Sequence, residues 1–124
     1  MKYSIDVHEF SFNKIKNGTR KVGVHLFDEN AQQIKLHDIL NMRNISNNEH
    51  LECTIKGIAL FDNFDDLIDC IGAAPLGYDN KKELMLRLKR MYPQKEQDKY
   101  SAVAFFLELL HEKAPLIMRD EIER

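Results

Sequence analysis

The stretch Ser101-Ala102-Val103-Ala104-Phe105-Phe106-Leu107 is the most apolar in this chain and carries no charge. It is far shorter than the ~20 residues of a membrane span, but long enough for a strand. Its residues are apolar in succession rather than in alternation. Both faces must therefore be buried, and the stretch reads as a central strand. A chain holding such a strand has to build layers around it. Lys2-Tyr3-Ser4-Ile5-Asp6-Val7 alternates polar and apolar with period two, which predicts one strand. Residues 20–27 alternate again, placing Val22, Val24 and Leu26 on one face and Lys21, Gly23 and His25 on the other. Two more strands are expected over 39–43 and 51–61. The second is long and rich in β-branched and apolar residues, so it is expected to bend.

Helical spacing over 9–16 turns Phe10, Phe12 and Ile15 inward, and Gly18 stands where a helix-terminating residue would sit. Asn63 with Asp66, and Asn80 with Glu83, have the spacing of capping boxes for helices over 64–71 and 81–91, closed by Gly72 and Pro93. Leu84, Leu88 and Met91 make the apolar stripe of the second. The charged stretch that follows reads as a loop. Segregated helices and mostly antiparallel strands predict an α+β fold, a small twisted barrel with helices packed outside. The length of 124 residues and 44% apolar content suit one domain. Asp6 falls where a signal peptide needs an apolar stretch, and Cys53 and Cys70 make no disulfide framework. The expectation is a cytoplasmic protein with two reduced, half-buried thiols and no membrane contact.

The net charge of −2 excludes a polycation, but charge is segregated along the chain. Lys14, Lys16, Arg20 and Lys21 form a local +4 with no acid among them. Lys81, Lys82, Arg87, Lys89 and Arg90 against Glu83 form another, and Asp62, Asp65, Asp66 and Asp69 a local −4. Such a dipolar surface steers a polyanion to one face. No histidine pair has metal-ligand spacing, and there is no nucleophile elbow, P-loop or dinucleotide fingerprint, so neither a metal nor a cofactor is expected. Of the aromatics Tyr3, Phe10, Phe12, Phe27 and Tyr78, core packing is the ordinary role.

Residues 15–39, Ile15-Lys16-Asn17-Gly18-Thr19-Arg20-Lys21-Val22-Gly23-Val24-His25 through to Leu36-His37-Asp38-Ile39, resemble the ASCH domain family of the PUA-like superfamily. Family members carry I-x-x-G-x-K-x-x-E-x-R, an acidic turn, then I-x-x-G-D-x-I. The order of the later segments is similar as far as residue 110, which gives a domain over 1–110 and an extension over 111–124. The resemblance implies a small β-barrel with a cleft between barrel and helices, and an RNA or nucleotide-like ligand. Some members resemble nucleases, and others amidohydrolases acting on acetylcytidine. This chain departs from the pattern: the family Lys, Glu and Arg become Arg20, Gly23 and His25, and the later Gly becomes His37 while Asp38 is kept. The amidohydrolase Lys, Thr and Glu fall on Arg20, Gly23 and Gly77. Arginine keeps its proton and glycine offers no side chain, so that machinery is absent on this alignment.

The reading that follows is a module that binds RNA or a nucleotide without known catalysis. Arg20 and Lys21 contact phosphate, Lys14 and Lys16 extend the track, Gly18 shapes the turn and His25 hydrogen-bonds a phosphate or base edge. Phe27 and Tyr78 are the candidates for base stacking. Any reshaped catalytic site, a hydrolase on a modified nucleoside or a nuclease, would rest on Lys21 and His25. A third reading is a protein-interaction module. In it Leu116, Ile117, Met118 and Ile122 of the extension either pack back on the domain or form a homodimer contact.

Overall fold

The computed structural model describes residues 1–110, so the extension over 111–124 lies outside the described residues. Five strands are present: β1 (Lys2–Val7), β2 (Val22–Leu26), β3 (Ile39–Asn44), β4 (His50–Phe61) and β5 (Ala102–Leu109). They form one curled sheet in the order β1-β3-β4-β5-β2. β1 runs parallel to β3, and the other neighbours are antiparallel. Around this half-barrel lie four helices: α1 (Glu9–Lys16), α2 (Phe64–Ile71), α3 (Lys81–Met91) and α4 (Gln94–Lys99). The fold is α+β, as the segregation of helical and alternating segments predicts.

The apolar run of β5 is buried on both faces because it separates two cores. Ala102 and Ala104 join Val22, Leu26 and the inner faces of α2 and α3. Val103 and Phe105 face the hollow of the curled sheet with Leu40, Met42, Cys53 and Ile55. The centre of the sheet, however, belongs to β4. Two-sided burial reports cover, and an interior strand beside an edge strand has the same cover as a middle one. β4 bends as expected: its register with β5 shifts between Ile55 and Gly57. Gly57 is useful there, since a Cβ would stand 3.2 Å from the Phe106 ring that lies over it.

Four expected burials are corrected. Phe12 and Ile15 are inward on α1, but Phe10 is 47% exposed. Two residues along a helix is about 200° of turn, so Phe10 and Phe12 cannot share a face. Met91, the last residue of α3, is 52% exposed at the end of its stripe. Neither thiol is half-buried: Cys53 is fully buried, with burial pushing its pKa up to about 11, and Cys70 is exposed. The expected loop before β5 contains α4, which buries no residue and so gives no amphipathic signal. Pro93 starts it, and the Gln97 side chain donates to the Tyr92 carbonyl at 2.8 Å. No helix among the described residues is long and apolar enough to cross a membrane.

Candidate functional site

The basic residues of the α1–β2 segment are held by a tight turn. Gly18 sits at φ +83°, and the Arg20 amide donates to the Lys14 carbonyl at 2.9 Å. The loop then returns beside the short 3-10 turn Ala74–Leu76, where the Lys21 amide donates to the Pro75 carbonyl at 2.9 Å. Arg20 points into that turn. Its Nε donates to the Leu76 carbonyl at 2.8 Å, its Nη1 to Ser11 Oγ at 3.1 Å, and its guanidinium lies 5.5 Å from the Tyr78 ring centre. Burial lowers its pKa, the Tyr78 hydroxyl offsets this, and arginine stays cationic. The Lys14 ammonium donates to the Gly77 carbonyl and stands 4.5 Å from the Phe10 ring centre.

Lys16, Gly18, Arg20 and Lys21 line one cleft of about 470 Å³, with Leu107 and Glu108 on its far side. Lys16 is paired with Glu49, and Glu108 with Lys56 at 3.3 Å. Lys21 is exposed and has no carboxylate partner among the described residues.

His25 lines a different cleft, of about 490 Å³, which opens between the edge strands β1 and β2. Its ring packs against Phe105 at 5.8 Å, and its Nδ1 is 3.4 Å from Tyr92 Oη. Burial drives the His25 pKa down; nearby Asp28 opposes this and Arg20 adds to it. Burial also pushes the Tyr92 hydroxyl up to about 12, helped by Asp28. At neutral pH this corner therefore holds a neutral imidazole and a protonated phenol. If Tyr92 donates to Nδ1, the Nε2–H is left as a donor. Gly23 keeps the neighbouring wall low, since a Cβ there would come within 3.6 Å of Nε2.

The alternation predicts Lys21 and His25 on one strand face, but β2 begins at Val22, so Lys21 stands in the loop just before it. Four extended residues separate them by roughly 13 Å, and they serve separate clefts. They are not brought together as a catalytic pair. Tyr92 escapes sequence reading, because an aromatic at a helix end looks like packing. The stacking candidates are also placed differently: Tyr78 is 8% exposed in the first core, and Phe27 is half-buried against the second. The exposed aromatic ring among the described residues is Phe10.

The hydrolase positions are adjacent in part and closed to a carboxylate. Gly77 has φ +89°, and a Cβ on it would stand 3.1 Å from Lys14 Cδ and 3.2 Å from Arg20 Nε. His37, where the family pattern has glycine, keeps the left-handed backbone at φ +72°. Asp38 is buried, accepting from the Lys35 amide at 2.8 Å and the Met1 amine at 2.9 Å, which holds its carboxyl below the usual range. It supports the turn before β3 and lines neither cleft. No group of three metal-ligating side chains exists among the described residues.

No family model matches the chain. No curated protein matches it either. Solved structures do. Hypothetical protein PH0355 is 26% identical with a TM-score of 0.79, over 89% of this chain and all of that one. The ASCH domain from Lactobacillus crispatus is 12% identical with a TM-score of 0.61, over 87% of this chain and 79% of that one. The ASCH structure from Zymomonas mobilis is 11% identical with a TM-score of 0.58, over 97% and 80%. These likenesses show the fold of an ASCH-like domain.

Proposed function

We propose that this ASCH-like module binds RNA or a nucleotide-like ligand, without catalysis, at the basic corner of the α1–β2 segment. The observation that supports it is the cleft in which Lys21, which forms no ion pair among the described residues, stands beside Arg20 and Lys16. Lys21 and Arg20 take phosphate oxygens, Lys14 extends the field, Lys16 joins it where a phosphate replaces Glu49, and Gly18 holds the turn. His25, neutral in its own cleft, offers hydrogen bonding without charge to a base edge. A hydrolytic reading is weaker on chemical grounds. Its three positions hold Arg20, Gly23 and Gly77, and the space beside Gly77 is filled by Lys14 and Arg20.

The test is a fluorescence titration with short single-stranded RNA at about 50 mM and about 200 mM salt, a range over which phosphate contacts weaken steeply. Binding is expected to fall with salt and to drop about tenfold or more in Lys21→Ala combined with Arg20→Ala. Affinity unchanged by the double substitution at low salt overturns the reading.

A further inference from the structure

The two basic stretches, far apart in sequence, meet in space around one exposed aromatic ring. Phe10 on α1 lies 6.2 Å from the Tyr78 ring and receives two cations, Lys14 at 4.5 Å and Arg87 of α3 at 5.4 Å. Phe10, Leu86, Arg87 and Arg90 share a shallow hollow with Glu83, its one carboxylate. Leu86 is 52% exposed beside the ring. Leu86, Arg87 and Arg90 fall on one side of α3 by helical spacing.

Several cations elsewhere are neutralised: Lys81 by Asp65 and Asp69 at 2.7 Å each, Arg43 by Asp6 at 2.9 Å, and Lys16 by Glu49. Arg87 and Arg90 have no such partner among the described residues. The hollow and the basic cleft are neighbours, linked by packing around the buried Tyr78. Arg20 lines that cleft and lies over Tyr78, Tyr78 meets Phe10, and Phe10 meets Arg87.

We propose that the α1–α3 face is a second nucleic-acid contact, on which a single strand leaving the basic cleft lays its bases against Phe10 and the Arg87 guanidinium while Arg90 and Lys14 hold its phosphates. Single-strand grooves combine a cationic track with exposed rings, and an exposed phenylalanine beside Arg87, with Arg90 in the same hollow, supplies both. An acidic peptide would satisfy the charges but would leave the ring without a stacking partner. The proposal rests on the nucleic-acid reading for its class of ligand, and adds a surface and a length requirement to it.

The experiment titrates the full chain with fluorescein-labelled oligouridine of about 5 and about 15 nucleotides, lengths either side of an ordinary single-strand site. Phe10→Ala and, separately, Arg90→Glu are expected to weaken the longer strand about tenfold and leave the shorter one unchanged. Phe10→Tyr keeps a ring and is expected to bind within about twofold of the parent. Lys21→Ala is expected to weaken both lengths. Circular dichroism of each variant separates loss of binding from loss of fold. Unchanged binding of the longer strand in Phe10→Ala and Arg90→Glu overturns the second contact, and leaves the cleft standing if Lys21→Ala weakens both lengths. Weakening by the face variants alone supports the second contact and overturns the cleft. Absence of binding by the parent overturns both. Displacement of the longer strand by polyglutamate as readily as by unlabelled RNA overturns the stacking role and assigns the face to an acidic protein.

Discussion

Gly77 is the residue on which the basic corner turns. Its φ of +89° is left-handed, its carbonyl accepts from Lys14, and its missing Cβ lets Lys14 and Arg20 approach. Gly77→Ala combines backbone strain with contacts of 3.1 to 3.3 Å. It should cost about 1–3 kcal/mol of stability, read from the denaturation midpoint at constant slope. A cost under about 0.5 kcal/mol would mean that the two cations give way freely. Gly18 shares the positive φ but has nothing within 4 Å of its absent Cβ, so its constraint is conformational alone. His37 shows the converse, a bulky residue held in the region that glycine prefers.

The elements are placed by their caps as much as by their faces. Asn63 Oδ1 accepts from the Asp66 amide at 2.8 Å, and Asn80 Oδ1 from the Glu83 amide at 2.9 Å. These side chains satisfy one orphan donor each and fix where α2 and α3 begin. The start of α3 sets the phase that brings Arg87 to Phe10. Asn80→Ala should therefore destabilise by about 1 kcal/mol in thermal or chemical unfolding. Asn80→Asp, which keeps the acceptor, should be nearly neutral, and equal losses in the two variants would argue against the cap. α1 carries the opposite economy: Phe12 and Ile15 anchor it, while its other side presents Phe10 and Lys14.

At the scale of the molecule, the open seam of the half-barrel places His25 among β1, β2, β5 and the end of α3. Its surroundings are Tyr92, Asp28 and Phe105, and burial keeps its pKa below the ordinary ~6.5. The folded chain thus resists a proton that the unfolded chain takes up. The resulting stability is complete above about pH 6.5 and is lost as pH falls from there toward the folded value. The slope from this one group is at most about 1.4 kcal/mol per pH unit. His25→Asn should flatten that part of the stability curve, and an NMR titration of the imidazole should give a midpoint below ~6.5. A midpoint above it would mean that the Asp28 carboxylate outweighs burial.

By itself, the sequence determined the types of most elements, α4 excepted. Period-two alternation marked β1 and β2, an unbroken apolar run marked β5, and asparagine caps marked α2 and α3, because these signals are local. The resemblance carried by residues 15–39 pointed to the same architecture. What it could not determine was which distant residues meet. The alternation put Lys21 and His25 on one strand face, yet Lys21 stands before β2 and His25 within it, and they line separate clefts. Tyr78, a stacking candidate whose ordinary role is packing, is core, while Phe10 looked like core and is exposed, since a one-dimensional pattern does not say which side of a short helix is covered. The joining of the two basic stretches across Phe10 was decided by tertiary packing alone. It depends on the fold bringing Phe10 of α1 within reach of Arg87 of α3, beside Tyr78, and no spacing within either helix records that.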